Sequence, residues 1–416
     1  MTSAHALVHI GEPRDLYYTD EKNCMKQSIP VDYNTRYTQN FTNLGAGTSV
    51  FVIPPNQGVR HAVIVIGYNA GSLSTVSGYA LERGWGYSAI QQVSFRIGGS
   101  SQYFLSGDQL LARNLRLCRT KEQRNSILQL GGAEVLASST TAHYAYIPVS
   151  VWSAPSEDEL GVPLPTDLLS QQVQITCQLK TSTQFWINNP SVVSQVPPPT
   201  QFDIGYFQIE QFEMKDRGMA LANRIDMNTH MYAMPLPTFD QQEVIFSSLS
   251  GSAPQQIVCT GFRAGEVKKL QLWLVQKTKS GDSTFTVNSQ NWIKPSAVTM
   301  LYAGLTYAVY NTGSSAIWNL LDGTAPSAVD QSLLALNGAS GFTSSSTLSE
   351  WVELPFAQPS GSDYEADVLV HGKEITNGIV NLQITLPDAT NTFDLHVVYV
   401  YNASVGFSKG SAELIF

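Results

Sequence analysis

Charge is the first thing this chain lacks. Of its 416 residues only 14% are Asp, Glu, Lys or Arg, well under the ~25% of ordinary soluble proteins. What charge there is leans acidic, for a net of −9. That argues against a general nucleic-acid binder, because a phosphate backbone calls for a basic footprint. Cysteine is scarce too. Cys24, Cys118, Cys177 and Cys259 are scattered, with no CxxC pair and no His at metal-ligand spacing from any of them. This speaks against a zinc site and favours reduced thiols, with disulfide pairing the other reading the sequence leaves open. No run approaches 18 apolar residues, the length a membrane-spanning helix needs. The opening MTSAHALVHIGEPRDLYY has no basic leader and no apolar core, so no secretory signal is expected. The sequon matches at Asn40 and Asn402 are then expected to stay unmodified.

Catalytic signatures are missing as well. The seven histidines are His5, His9, His61, His143, His230, His371 and His396, and no two lie in the HxH spacing that would let a strand aim both at one metal. There is no GxxxxGK[ST] phosphate loop and no GxGxxG opening a helix. Gly406-Phe-Ser408-Lys-Gly410 matches the GxSxG nucleophile elbow. That elbow needs a helix after the Ser and downstream Asp and His partners, and the six residues after Gly410 contain neither. The acidic run Glu157-Asp158-Glu159 sits in a Pro-rich stretch. A glycosidase pair could come from separate strands, since such carboxylates need only meet in space. No catalytic, cofactor-binding or metal-ligating residue is assigned, no cofactor is expected, and the chain is not expected to be an enzyme.

What the chain does have is alternation. Apolar and polar residues alternate in runs bounded by Pro and Gly turns, and 43% of residues are hydrophobic, enough for two substantial cores. VFVIPP (50–55), HAVIVIGY (61–68), IQQVSFRIGG (90–99), the runs 145–152 and 171–179, and QFDIGYFQIEQFEM (201–214) read as strands of a first half. KLQLWLVQ (269–276), TYAVYNT (306–312), EWVELPF (350–356), GIVNLQITL (378–386) and FDLHVVYVYNASVGF (393–407) repeat the style in a second half. The length suits two domains of roughly 200 residues. The fold expected is all-β, with two antiparallel eight-stranded sandwiches side by side and short helices in the connections. The boundaries expected are a polar N-terminal arm at 1–39, a first sandwich at 40–213, a helical link at 214–225 and a second sandwich at 226–416. The triple proline at 197–199 reads as a loop inside the first sandwich.

One helix is expected in the first half, over 106–132. Ser106 or Asp108 can cap its start and Gly131-Gly132 ends it. Leu110, Leu111, Leu115 and Leu117 form its apolar stripe, with Cys118 alongside. Arg113, Arg116, Arg119, Lys121 and Arg124 make it locally basic. Two readings fit that charge: a contact with nucleic acid or an acidic partner, and the solvated outer face of a helix lying on a sandwich. The solvated face is favoured.

The order of these signals carries a resemblance. Phe95-Arg-Ile97-Gly98-Gly99 leads into the helix. Tyr146-Ile147-Pro148 runs to Trp152, and Val162-Pro163-Leu164 leads into Val173. The strand Phe202 to Phe212 is followed by Glu213-Met-Lys-Asp-Arg217. Leu270-Gln-Leu-Trp273-Leu-Val-Gln276, Phe356-Ala-Gln-Pro359-Ser360-Gly361 and Tyr399-Val-Tyr401-Asn402 follow in the second half. This succession resembles the major capsid protein of the double jelly-roll lineage. That lineage includes nucleocytoplasmic large DNA viruses, virophages, polinton-like viruses and tailless icosahedral phages. The chain departs from the pattern where Asp363-Tyr364-Glu365 replaces a usual Ser-Arg pair, and 277–350 matches none of its motifs.

The resemblance implies a structural protein of the virion. It implies pseudo-hexameric homotrimers that tile an icosahedral shell assembled in host cytoplasm or nucleus. The partners implied are neighbouring trimers, penton and minor capsid proteins, and an internal membrane or genome met by the N-terminal arm. Loops near 278–290 and 338–349 are expected on the outer face. Two alternatives stand beside it. One is a secreted or virion-surface tandem sandwich that binds or cleaves glycans. The other is a minor capsid protein of the same fold.

Overall fold

The computed structural model describes residues 18–20, 26–28, 31–53, 58–99, 103–116, 118, 121–135, 138–149, 164, 166, 169–188, 192–214, 232–235, 241–278, 280, 292–311, 326–330, 348–356, 372–401, 404–408 and 411–415. In the first half the alternating runs pair into two four-stranded sheets. One has the order β3 (Val31–Asn40), β12 (Ile204–Met214), β5 (Gly58–Tyr68), β9 (His143–Pro148). The other has the order β4 (Gly47–Ile53), β10 (Val173–Leu179), β7 (Ile90–Ile97), β8 (Tyr103–Leu105). Every described pairing in both is antiparallel.

Period-two patterning explains the faces. In β10, Val173, Ile175, Cys177 and Leu179 are buried and the residues between them are half-exposed. Ile175 stands opposite Phe51 of β4 and Phe95 of β7, so one inward ladder crosses three strands. Phe207 of β12 stacks on Phe51 with ring centroids 4.8 Å apart, which joins the two sheets. Burying each such side chain contributes about 1.5–3 kcal/mol.

The second half repeats the design. One sheet runs β14 (Gln241–Leu249), β24 (Phe393–Tyr401), β16 (Gly265–Gln276), β21 (Leu348–Pro355), β20 (Pro326–Asp330), with β17 (Trp292–Ile293) and β22 (Lys373–Ile375) also paired to β16. It faces a sheet of β15 (Gln255–Val258), β23 (Val380–Thr385), β18 (Ala297–Tyr302) and β19 (Leu305–Asn311). If the eight main strands of each half are counted along the chain, both halves place them 1-8-3-6 in one sheet and 2-7-4-5 in the other. That interleaved order is the jelly roll. The expected pair of eight-stranded antiparallel sandwiches is therefore what the chain folds into.

Smaller elements complete it. β6 (Tyr79–Ala80) pairs with β11 (Ile187–Asn188), and β1 (Tyr18–Asp20) with β2 (Lys26–Ser28). β13 (Tyr232–Pro235), β25 (Ser404–Ser408) and β26 (Ser411–Ile415) form a three-stranded sheet. β26 lies against β7, so the C-terminal hairpin laps back onto the first sandwich. Short helices α1 (Trp85–Ala89) and α4 (Ser182–Phe185) sit in connections.

Two expectations need correction. The stretch expected as an arm to residue 39 becomes strand from residue 31, because β3 pairs with β12 over most of its length. Its sequence, VDYNTRYTQN, is too polar to announce a core strand. It is an edge strand held by backbone pairing. The helix expected over 106–132 is two helices, α2 (Gly107–Arg116) and α3 (Lys121–Leu130). A single helix of that length would run about 40 Å, past the ~27 Å of β7 beneath it. The break at buried Cys118 lets α2 pack on β7 and α3 on β9. The capping expectation holds. Ser106 Oγ accepts from Gln109 N at 3.2 Å, and Gln109 Oε1 accepts from Ser106 N at 2.8 Å, a reciprocal cap. Gly132, at φ +120°, ends α3 where a Cβ would enter the Trp85 ring. The link at 214–225 falls, after Met214, outside the described residues.

Candidate assembly surfaces

The two sandwiches meet along a seam built from β16 and β24. These strands are apolar in near-continuous runs because both their faces are buried. Leu270, Leu272, Leu274, Leu395, Val397 and Tyr399 point into the second core. Trp273, Val275, Val398 and Val400, with Trp292 and Trp351, join the core of the first sandwich instead. The Trp273 and Trp292 rings lie 5.5 Å apart, and Trp292 meets Trp351 edge-on at 5.6 Å. One hydrophobic cluster thus spans both domains, which makes the pair a single building block.

Charged residues sit at two places on this seam face. Lys269 Nζ lies 3.6 Å from Glu353 Oε2. Glu353 Oε1 accepts from Gln271 Nε2 at 2.9 Å and Trp351 Nε1 at 3.1 Å. At the other place Glu243 Oε1 bonds His396 Nδ1 at 2.6 Å, and the His396 ring stacks on Trp273. Glu243 Oε2 accepts from Ser106 Oγ at 3.3 Å and Gln109 Nε2 at 3.4 Å, so this carboxylate ties β14 to the start of α2. Neither constellation was singled out from the sequence. The doubled apolar runs in β16 and β24 were the one available signal.

The outward surfaces are apolar in places. On β19 (LTYAVYN, with no charged residue) Leu305, Tyr307 and Val309 are exposed, and so is Val258 on β15. Lys373 Nζ lies over the Tyr302 ring at 3.8 Å and the Tyr307 ring at 4.5 Å. On the first sandwich Tyr37, Val50, Phe104 and Tyr146 are exposed. The β4 edge is partly covered. Gln39 Nε2 donates to Val50 O at 3.4 Å and Gln39 Oε1 accepts from Val52 N at 3.1 Å, which occupies backbone groups that could recruit another strand.

The basic-helix reading changes. Arg113 is buried rather than on a solvated face, and its Nη1 donates to Asn114 Oδ1 at 3.1 Å. Asn114 in turn donates to the Tyr87 hydroxyl and to Pro148 O. Arg124 is half-buried, with its Nε sealed from solvent. Arg119 and the side chains of Arg116 and Lys121 lie outside the described residues.

The remaining chemical candidates fall as follows. Ser408 closes β25 and pairs with Ser411 of β26, so the GxSxG match lies on a β-hairpin and not on a strand-to-helix turn. His143 Nε2 lies 2.7 Å from Ser139 Oγ and 3.2 Å from Thr141 Oγ1, and burial lowers its pKa. His61 and His396 are half-buried on separate strands. Cys118, Cys177 and Cys259 are free and buried, and burial pushes Cys118 to about 11 and Cys259 to about 12. Among the described residues no group of three His, Cys, Asp or Glu is placed to hold a metal, and no helix is long and apolar enough to cross a membrane. His5, His9, His230, His371, Cys24, Glu157-Asp158-Glu159 and nearly all of the loops at 278–290 and 338–349 lie outside the described residues.

No family model and no curated protein sequence matches the chain. Solved structures do. PBCV-1 VP54, fitted into a reconstruction of the virophage Sputnik, is 12% identical with a TM-score of 0.62, over 95% of this chain and 99% of that one. A chain of the Sputnik virophage structure itself is 13% identical at 0.55, over 95% and 90%. The Faustovirus major capsid protein is 9% identical at 0.54, over 95% and 92%. This likeness extends over both sandwiches, and the chain has the double jelly-roll fold of these proteins.

Proposed function

We propose that this chain is a major capsid protein: a structural subunit that forms pseudo-hexameric homotrimers and tiles an icosahedral virus shell. The observation that carries the reading is the seam. Two jelly rolls of one strand order share a hydrophobic cluster, and the pair matches PBCV-1 VP54 across 99% of that protein's length. PBCV-1 is itself the subject of a virus capsid model, and Faustovirus contributes a protein named as major capsid protein. Three copies of a two-lobed block present six lobes, which is how a trimer fills a hexagonal position. The shortage of charge fits flanks covered by identical neighbours, as do the exposed apolar residues on β19 and β15. Neighbouring trimers, penton and minor capsid proteins are the partners on this reading. The N-terminal segment before β3 reaches a neighbour or the shell interior. The chain acts by packing and not by catalysis, with no cofactor.

Native mass spectrometry of the purified full-length chain tests this. A particle of three 45.5 kDa chains that electron microscopy shows with a hexagonal outline is expected. A monomer retained on glycan columns would overturn the reading in favour of a carbohydrate-binding protein.

A further inference from the structure

The Glu243 cluster lies where the two sandwiches touch, and a second carboxylate, Asp108, stands beside it. Asp108 is in the first turn of α2. It is half-buried overall, but its Oδ1 is sealed from solvent and, among the described residues, has no hydrogen-bond partner. An ionised carboxylate oxygen in that position would carry a desolvation cost that no hydrogen bond among the described residues offsets. The charged and titratable groups acting on it come from three directions: Lys180 just past β10, Glu243 from β14 and His396 from β24. Glu243 already uses both oxygens, one on His396 and one on Ser106 and Gln109. A second negative charge at Asp108 would therefore face the Glu243 carboxylate across the seam.

We propose that this cluster is a proton-operated latch between the two sandwiches, closed while Asp108 is neutral and loosened when its carboxyl ionises beside Glu243. Burial holds the Asp108 carboxyl above the usual carboxylate range. Lys180 opposes that rise, Glu243 adds to it and His396 opposes it. An acid raised in the folded state contributes its stabilisation in full below about pH 4, its ordinary value. The contribution is lost as pH climbs through the value in the closed seam. The loosening is local: α2 and β14 part while the core of each sandwich stays folded. A shell made of such blocks stiffens in acid and gains freedom between lobes as pH rises.

The test is hydrogen exchange of the full-length chain across pH 4 to 9, corrected for intrinsic base catalysis, in the wild type and in Asp108→Asn. The wild type should lose protection in β14 and the first turn of α2 by up to about tenfold per pH unit within the titration window. The Asn variant should be flat there. Strands remote from the seam, such as β18 and β23, should not differ between the two proteins. A wild-type protection that ignores pH would overturn the latch, as would a variant with the same slope. Should Asp108→Asn fail to fold, Glu243→Gln serves. Removing that charge should narrow the window, and an unchanged window would count against the proposal.

Discussion

Replacing Glu353 with Gln should destabilise this chain by about 3 kcal/mol, the cost of removing one charge from a buried ion pair. The geometry sets the expectation. Lys269 Nζ is 3.6 Å from Glu353 Oε2, and the two side chains are only 5% and 10% exposed. Coulomb attraction at that distance is about 4–5 kcal/mol with an effective dielectric near 20. Gln keeps an oxygen for the Gln271 and Trp351 donors, so the variant removes charge and little else. Lys269→Met should cost less, about 2–3 kcal/mol, because Glu353 retains those two donors. The double variant Lys269→Met/Glu353→Gln should return to within about 1 kcal/mol of the parent, since a neutral pair of the same shape incurs no charge burial. The coupling from this cycle should therefore be at least about 3 kcal/mol. Urea unfolding followed by tryptophan fluorescence reads it, because Trp351 bonds Glu353 directly. All four proteins must be held at one concentration, since association shifts apparent stability. A Glu353→Gln change within about 0.5 kcal/mol would refute the reasoning, because that is the worth of an exposed ion pair.

Other outcomes follow from the same structure. Gly132→Ala should cost at least about 2 kcal/mol, because its left-handed backbone and the Trp85 ring leave no room for a Cβ; Gly99→Ala, which meets nothing within 4 Å, is the control in a thermal melt. Cys118, Cys177 and Cys259 should resist thiol reagents at pH 8 until the chain unfolds, since burial holds all three thiols protonated. Mass-resolved labelling with and without denaturant reads this. On the proposed capsid role, removing residues 1–30 should leave the mass of a trimer unchanged but impair shell assembly. Removing 1–40 takes away β3, exposes the β12 edge and should give aggregates. Light scattering after size exclusion separates the two.

Much of the architecture was legible because strand faces obey a local rule. Val173-Gln-Ile175-Thr-Cys177-Gln-Leu179 announces its buried face in seven residues. The same rule failed where pairing is backbone-driven. β3 and β14 are edge strands of mixed polarity, and QQEVIFSSL carries too little alternation to be seen. The helix at 106–132 was misjudged in length because propensity sees no sandwich beneath it. Cys118 looked like one more position on a stripe, and its role as the break is set by the sheets that α2 and α3 cover. Arg113 looked solvated because five basic residues fell close together. It is buried on the packed side of α2, where its Nη1 donates to Asn114 Oδ1.

By itself, then, the order of residues determined which segments become strands, which side of each faces inward, and that two sandwiches follow one another along the chain. Those are consequences of near neighbours, a period of two and turn residues. The seam could be decided only in three dimensions. Trp273 and Val398 look like excess apolar residues until a second domain covers their face. Glu243 and His396 stand 153 residues apart, and Ser106 and Glu243 stand 137 apart. No local pattern joins groups at such separations. Their interaction exists because the interleaved strand order sets β14 beside β24 and their sheet against the start of α2, and burial there brings ordinary side chains together.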